Sequence, residues 1–467
     1  MRSPIDEFAS NITDAGYEAF SDKLIKGAKN RVIDIIGCSI GGTKGHGCSA
    51  TLEILKEWGG NGEATVLGYG EKFPAVNAAM LNSVTARAYD FDVCCVHFDK
   101  VVLPSHITVT TVPTAFAMAE KTASSGKELI SALILGDDIA SRVASASDVS
   151  FDVGWDFTGT INAFGATAIA GRLLRLSTIQ LRNAFGIVLN EMGGSFQSIW
   201  DHVDSFKLFN GFSAKAGIFA ANLASKGFLG VKDPLLSRWG YFSLYCPTHN
   251  VEGLTKDLGK TFYSEAVFKP YPGCRFNHSS IDAALKLVSE NEINVDDIEQ
   301  VIVTVSESPL TKFLGKPFDL GDVPEISATF NLPYNVANVL VRKSVKLSHF
   351  TEKFVRDSLV VSIAKKIEVI SEPPSKGLGG AVDLEKTAWS RVKVKMKSGQ
   401  EYATSVAIPK ADPIHSPLSD EEIKDKFREN VAFSNLVSKN SSEEALKMLD
   451  NLEEVSDVER ITKLLVA

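Results

Sequence analysis

The sequence predicts a mainly α fold, in which a large all-helical domain carries a smaller α+β lid domain inserted before the C-terminal helices. Three observations indicate this fold. Runs rich in Ala, Leu and Ile, with apolar residues at spacings of three and four, fill the first half. Strand-like alternation is almost absent before residue 260, whereas β-branched runs and closely spaced prolines follow it. Helical patterns then return after Pro409. We therefore expect a helical domain over 1–265 plus 408–467 and a lid over 266–407, with a ligand cleft between them.

The helices of the first half have both start signals and apolar faces. Ser3 is predicted to cap the first helix, with Pro4 at the first helical position. Leu24, Ala28 and Val32 then lie on one face of the next helix. The high Gly and Ala content of the helical runs in the first half indicates closely packed, buried helices. Further helices are predicted at about 74–89, 108–121, 126–148, 160–174, 178–191 and 210–226.

After residue 260 the sequence pattern changes from helical to partly extended. Pro270 and Pro272 exclude regular helix, so this segment is extended, and Asn277 can cap the helix that follows. β-Branched residues over 298–305 predict a strand, and 391–396 with 401–407 predicts a hairpin. The capping-box spacing marks later helices at Ser419 with Glu422 and at Ser441 with Glu444. The remaining predicted helices of the lid lie at about 326–342 and 353–365.

Composition excludes several classes of protein. The chain has 467 residues, 49 Lys+Arg and 57 Asp+Glu, and its net charge of -8 has the wrong sign for a nucleic-acid binder. No apolar run reaches the roughly 18 residues of a membrane helix. The start has no signal-peptide core, and the six cysteines are sparse and form no C-x-x-C pair, so we expect a cytoplasmic location. If the ligand is an anion, it needs a local cationic pocket.

Two motifs that suggest other chemistry lack the context they need. The segment 37–41 matches the G-x-S-x-G nucleophile elbow, but it ends a predicted helix instead of following a strand. The glycines of 41–45 lack the Gly-Lys-Ser/Thr order of a phosphate loop. Neither a nucleotide nor an α/β-hydrolase site is predicted.

Acid/base residues crowd one stretch between two predicted helices. Carboxylate and imidazole side chains of this kind suit proton transfer, and they are also metal donors. No recognisable ligand spacing appears, so we expect acid/base chemistry and no metal. The crowd consists of Asp90, Asp92, His97, Asp99 and His106.

Cationic residues occur at two later places. Lys207 precedes a predicted helix, and Lys269, Arg275 and His278 lie on a rigid Pro-rich turn that leads into a helix N-terminus. Fixed cations and free backbone N–H groups make a good carboxylate receptor. Tyr334 is placed near another helix start, where its hydroxyl could serve the site or merely pack.

Taken together, these segments resemble the 2-methylcitrate dehydratase (MmgE/PrpD) family, which includes cis-aconitate decarboxylases and iminodisuccinate epimerases. The likeness runs through nearly the whole chain, and its most specific block is 269–278. The resemblance implies a helical domain with an α+β lid, a homodimer, an active site between the domains and no organic cofactor. The segments that carry it are 87–92, 104–106, 206–207 with 214–217, 269–278 and 330–337.

The resemblance also implies roles for individual residues. The catalytic set falls on Asp90, His106, Lys207, Lys269 and Tyr334. Substrate binding is expected of Arg275, His278, Cys274 and Cys94. The family's decarboxylases have His where Cys274 stands, another His at about Asp156, and Thr near Cys94. These departures count against decarboxylation without selecting another reaction.

The expected chemistry is formation of a carbanion beside a carboxylate, which pre-placed cations must stabilise. Histidine can give and take a proton near neutral pH, so His106 is the predicted acid/base group. We predict a cofactor-independent hydro-lyase acting on a small hydroxy-di- or tricarboxylate such as 2-methylcitrate. Alternatives are a dicarboxylate epimerase, a cis-aconitate-type decarboxylase and a silent carboxylate-binding homologue. A metal-dependent hydrolase comes last.

Overall fold

The computed structural model describes residues 3–98, 101–147, 154–373 and 389–467, and the fold is mainly α as predicted. Within these residues no helix is both long enough and apolar enough to cross a membrane. The first half is a succession of packed helices. They are Pro4–Asp14, Asp22–Gly41, Cys48–Trp58, Ala75–Ala86, Thr108–Lys121, Gly126–Ala146, Thr158–Leu173, Thr178–Val188, Gln197–Trp200, Leu208–Ser225 and Tyr241–Tyr245.

Small residues allow these helices to pack closely. A Cβ atom added to Gly136 would lie 2.5 Å from the Ile169 side chain and 2.8 Å from the carbonyl of Gly165. Helices Gly126–Ala146 and Thr158–Leu173 therefore approach each other more closely than larger side chains would permit. Ser125 begins the first of them with a capping box. The glycine and alanine content that predicted buried helices thus has a direct packing role.

The first half also contains short strands, so the prediction of an all-helical domain is wrong in this detail. Ala64–Thr65 pairs with Lys72–Phe73. Cys94–Phe98 pairs with both Val101–Leu103 and Ala266–Val267. These strands span two to five residues, which is too short for a period of two to be visible in the sequence. The three-stranded sheet joins the acid/base stretch to the segment that begins the predicted lid.

A four-stranded sheet lies in the second half, in the order Ile367–Glu372, Ile298–Ser306, Ser390–Met396 and Glu401–Val406. The first two strands are parallel and the other pairs antiparallel. Helix His278–Glu290 packs on this sheet. The predicted strand at 298–305 and the hairpin are present, whereas Ile367–Glu372 was not predicted.

Two predicted helices of this half are each divided. Helix Pro324–Thr329 ends before Asn331, whose side chain caps helix Leu332–Arg342. Asp357 likewise caps a new helix after a break. Proline and capping residues therefore overrode a continuous apolar pattern. The other helices here are Pro309–Leu314, Glu352–Val355 and Ser358–Ala364.

The C-terminal helices return to the first half of the chain. Helix Asp420–Ser434 starts at the predicted capping box and packs on Asp22–Gly41. Its Lys426 Nζ lies 2.7 Å from Asp34 Oδ1 and donates to the carbonyl of Phe91 at 2.6 Å. The next helix, Lys439–Asp450, is capped by Ser438 and not by the predicted Ser441. The last helix is Glu459–Thr462.

Candidate active site

Five ionisable side chains meet where helix Ala75–Ala86 ends. Asp90 lies in the loop after this helix at φ 48°, a left-handed conformation that Asp tolerates. Its carboxylate forms an ion pair with Arg87 and accepts from Lys269 Nζ at 2.6 Å. Asp92 Oδ2 lies 2.6 Å from His106 Nδ1. All of these groups are buried except His106, whose side chain is 19% exposed.

The turn that carries Lys269 is attached directly to this loop. The N–H of Gly273 donates to the carbonyl of Tyr89, and the N–H of Cys274 donates to that of Thr329. Gly273 has φ 93°, and a Cβ there would lie 2.9 Å from the Thr329 carbonyl. Glycine is therefore required at this position. Lys269 Nζ also donates to the backbone carbonyl of Asp90 at 2.7 Å, which joins turn and loop a second time.

The two carboxylates have different roles toward His106. Asp92 is ionised, because the charges of His106 and Arg87 outweigh its burial and hold its pKa well below the usual range. It therefore accepts a hydrogen bond from His106 Nδ1–H and fixes the orientation of the imidazole. Nε2, 3.7 Å from Asp90 Oδ1, is left as the nitrogen available for proton transfer. Asp92 is thus the carboxylate that orients the histidine, and Asp90 lies beside the other ring nitrogen.

The cations keep the second carboxylate ionised as well. Burial alone would raise the pKa of Asp90, but Arg87, Lys269 and His106 lower it below the usual range. The pKa of Lys269 is in turn raised, because Asp90 and the neighbouring acidic groups outweigh the desolvation of its ammonium group. The cluster is thus a set of mutually compensated buried charges.

A cavity opens beside this cluster. It contains six of the nine predicted site residues: Asp90, His106, Lys269, Arg275, Cys274 and Cys94. Two residues of its wall, Arg87 and Ser105, each have a buried polar atom, Nε and Oγ, without a hydrogen-bond partner among the described residues. Leaving a buried polar atom unpartnered costs free energy. The rest of the wall consists of Arg87, Cys95, Pro104, Ser105, Asp156, Phe157, Thr158, Phe196, Ile199, Trp200, Phe276, Leu310 and Phe330.

The cysteines of this wall differ in protonation. The hydrogen bond from Cys95 and the charges of Lys269, His106 and Arg275 lower the pKa of Cys94 to about 6. Burial raises the pKa of Cys274 to about 12, so this thiol stays neutral. Cys274 is therefore a neutral residue of the cavity wall. The resemblance to the family's decarboxylases implies a histidine at this position.

Three predicted site residues do not line the cavity. Lys207 is 2% exposed, and its Nζ binds Asp204 Oδ1 at 2.8 Å and the carbonyl of His46. The hydroxyl of Tyr334 donates to the carbonyl of His349, so the residue is packed and does not face the cavity. His278 lies behind Arg275, with Nδ1 3.1 Å from the guanidinium, and its burial lowers its pKa. Each prediction identified a buried polar residue but not its partner.

Sequence reasoning missed three contributors to the site. Arg87 was only part of a motif, and Asp92 was one of a crowd with no role of its own. Asp156 lines the cavity and accepts from the N–H and hydroxyl of Thr158 at 2.8 and 2.5 Å. Burial raises the pKa of Asp156 above the usual range. Asp92 could have been found from its position two residues after Asp90, because the turn places both carboxylates in contact with Arg87.

One further member of the acid/base crowd, His97, does not join the cluster. His97 lies on the strand Cys94–Phe98 and lines an adjoining pocket. Asp99 lies outside the described residues. Chain proximity therefore overestimated the size of the constellation.

The cluster can also be tested as a metal site. Ligand atoms of Asp90, Asp92 and His106 lie within 4.8 Å of one another. However, Arg87 and Lys269 already neutralise the two carboxylates. A divalent cation at this point would face two fixed positive charges at close range. The donor set therefore suits proton transfer better than metal binding.

These features define a mainly helical protein with a compensated carboxylate–histidine–cation cluster in a small buried cavity. Two family models match the chain, the MmgE/PrpD N-terminal domain over residues 6–254 and the MmgE/PrpD C-terminal domain over residues 271–454. The chain belongs to the MmgE/PrpD family, as its resemblance indicated.

Several relatives match over nearly their whole length. The human cis-aconitate decarboxylase is 24% identical over 484 residues, covering 100% of this chain and 95% of the relative. A cis-aconitate decarboxylase-like protein of Aspergillus oryzae is 26% identical, covering 98% and 96%. The cis-aconitate decarboxylase of Aspergillus terreus is 23% identical, covering 100% and 96%. These relatives bear the names of enzymes.

Proposed function

We propose that this protein is a cofactor-independent lyase that moves a proton on the carbon next to a carboxylate of a small di- or tricarboxylate. The observation that carries the proposal is the pairing of His106 with Asp92, which leaves Nε2 available beside Asp90. Arg87, Lys269 and Arg275 supply positive charge at the same cavity. Family membership and the relatives' names support the lyase class.

The preferred reaction is elimination of water from a hydroxy-acid such as 2-methylcitrate. His106 Nε2 removes the proton next to the carboxylate, and the released electron pair forms the carbon–carbon double bond. Hydroxide leaves from the neighbouring carbon and takes up a proton to become water. Lys269 and Arg275 stabilise the charge that develops on the carboxylate, an effect often worth about 3–4 kcal/mol per donor.

The leaving hydroxyl needs an acid, and Asp156 is our candidate. Its raised pKa keeps it closer to protonation than Asp90 and Asp92, whose pKa values are lowered. Carboxyl groups whose pKa values are shifted in opposite directions commonly divide the roles of general acid and general base. Thr158 fixes the orientation of Asp156 through two hydrogen bonds.

Decarboxylation of cis-aconitate is the second candidate, and the names of the relatives favour it. The same cations would stabilise the carbanion left when CO₂ departs, and His106 would then protonate that carbon. Epimerisation of a dicarboxylate needs only the proton transfer. A silent binding protein would keep the cations and lose the chemistry.

One panel distinguishes these possibilities. We expect the purified protein, incubated in D₂O with 2-methylcitrate, citrate, cis-aconitate and iminodisuccinate, to convert at least one acid, with the reaction followed by NMR. Alkene formation identifies dehydration, loss of CO₂ identifies decarboxylation, and deuterium exchange without either identifies epimerisation. Absence of turnover and exchange with all four would contradict the enzyme proposal. Thermal stabilisation under those conditions would identify the silent binder.

We also propose a homodimer. Phe212 and Phe219, seven residues apart on helix Leu208–Ser225, are 48% and 45% exposed, and Phe228, Leu229 and Trp239 follow in the same part of the chain. Exposed large apolar side chains of this kind typically mark protein interfaces. We expect light scattering to give twice the chain mass and Phe219→Asp to reduce it. Ile414→Asp, at an exposed residue on a different segment, should leave the dimer intact. A monomeric wild-type protein would contradict this proposal.

Two further proposals concern organisation and location. The contacts of helix Asp420–Ser434 with Asp22–Gly41 support the division into a discontinuous domain, 1–265 plus 408–467, and a lid, 266–407. Limited proteolysis that releases the lid as one fragment would test it.

The six cysteines form no disulfide, which supports a reducing cytoplasmic location, to be tested by cell fractionation.

A further inference from the structure

A second pocket adjoins the candidate active site. The two share four wall residues: Cys95, Pro104, Arg275 and Phe276. Most of the surface of the second pocket is apolar. Its other residues are His97, Val102, Val267, Ser279, Ile408, Pro409, Asp412 and Pro413.

Apart from Arg275 on the shared wall, the charged groups of the second pocket do not favour another carboxylate. The carboxylate of Asp412 already accepts from the backbone N–H groups of Ile414 and His415 and pairs with the His415 ring. These contacts lower the pKa of Asp412, so it remains negative. Burial lowers the pKa of His97 and keeps its imidazole neutral. An anionic occupant would therefore meet a negative charge, whereas an alkyl group would meet hydrocarbon walls.

Arg275 is the cation at the boundary. Its guanidinium is held by the carbonyl of Lys410 at 2.7 Å and by His278 Nδ1 at 3.1 Å. It lines both cavities, so a carboxylate bound to it on the active-site side is one side chain away from the apolar pocket. Pro104 and Phe276 also line both cavities, and a substituent that passes between these shared residues would reach the apolar pocket.

We propose that the second pocket binds an alkyl substituent of the substrate, so that the protein prefers di- or tricarboxylates bearing a carbon chain longer than methyl. This inference rests on the proposed function, because the carboxylates must occupy the first cavity. It goes further by assigning the second pocket to the substrate's side group.

The test compares acids that differ only in this group. Citrate analogues with hydrogen, methyl, propyl or hexyl at the carbon substituted in 2-methylcitrate, and the corresponding cis-aconitates, are assayed for kcat/KM. Each methylene buried against apolar walls should raise kcat/KM about two- to fourfold until the pocket is filled. A flat or falling series across these acids would overturn the inference.

Variants separate the pocket from the catalytic machinery. Ile408 is half-buried on the wall of the second pocket and does not line the first. Ile408→Trp should fill the pocket, lower kcat/KM for the propyl and hexyl acids at least tenfold and change that for the unsubstituted acid less than threefold. Ile414→Trp, at a 71% exposed residue of the same loop, is the matched control and should preserve the series. Equal losses for all acids in Ile408→Trp would contradict the assignment.

The inference and the proposed function fail in distinguishable ways. Turnover of short acids without a gain from alkyl groups overturns only the pocket assignment. If no acid is turned over, dissociation constants of the same series, measured by calorimetry, take the place of kcat/KM. Tighter binding of longer alkyl acids then supports the pocket while the lyase proposal fails, and no binding at all overturns both.

Discussion

His106→Gln should lower turnover of the best acid by about 10²- to 10⁴-fold, the range typical of losing a general acid/base group. Glutamine can still donate a hydrogen bond to Asp92, but it cannot accept and release a proton near neutral pH. The ring nitrogen beside Asp90 is the group that is lost. Because the proton carrier itself is removed, solvent-deuterium exchange into the substrate should fall together with turnover.

The control for this variant is His249→Gln, at an exposed histidine that stacks on Phe242 and does not line the cavity. It should keep turnover within threefold of wild type. Thermal unfolding of both variants shows whether any loss reflects folding. A loss below threefold in folded His106→Gln would remove this residue from the acid/base role and direct attention to Asp156 or Cys94.

Lys269→Met should lower turnover by about 10²- to 10³-fold and also destabilise the fold. The kinetic loss corresponds to one electrostatic donor at the reacting carboxylate. Lys269 is 1% exposed, and its removal leaves the Asp90 carboxylate with one cation fewer in a buried site. Breaking a buried ion pair on one side typically costs about 3–5 kcal/mol, which denaturant unfolding would measure.

A double variant separates the two effects. In Asp90→Asn with Lys269→Met no carboxylate is stranded, so stability should recover by at least half of the loss in Lys269→Met while activity stays low. Lys410→Met, at an exposed lysine paired with Glu422, is the matched control and should change the free energy of unfolding by less than about 1 kcal/mol. Full activity in folded Lys269→Met would contradict the role of this lysine.

The stability effect should depend on pH in a defined direction. The pKa of Asp90 is lowered by folding, so its contribution is present above the unfolded value of about 4 and is lost as pH falls further. The pKa of Lys269 is raised, so its contribution is present below about 10.4 and is lost as pH rises through its folded pKa. The gap in free energy of unfolding between wild type and Lys269→Met should therefore be widest between these limits. An equal gap at about pH 3 would contradict the ion-pair explanation.

Local sequence determined most of the fold. Helix Thr108–Lys121 has the predicted bounds, because apolar periodicity and caps act within a few turns. The four long helices that follow it up to Ser225 begin within two residues of prediction, whereas the short helix Gln197–Trp200 was not predicted. Five of the missed strands span two to five residues, and one of them has a partner far along the chain. Cys94–Phe98 pairs with Ala266–Val267, so its extended state depends on a contact that no local pattern shows.

The candidate site was predictable in its residue types and less so in its connections. The family resemblance and the residue chemistry together predicted Asp90, His106, Lys269 and Arg275 as site residues. All four line one cavity. The same reasoning also predicted Lys207, Tyr334 and His278 there. The reason is that a buried lysine or tyrosine has the same sequence signature whether it faces a ligand or a backbone carbonyl.

By itself, then, the sequence determined that this is a mainly helical MmgE/PrpD protein with acid/base and cationic side chains in known segments. Only the tertiary structure decided which carboxylate orients His106, which cations reach the cavity and which residues form the adjoining apolar pocket. The first set depends on interactions between residues close in the chain. The second depends on distances of a few ångströms, between Asp92 and His106 and between Asp90 and a turn almost 180 residues away, which are set when the whole core packs.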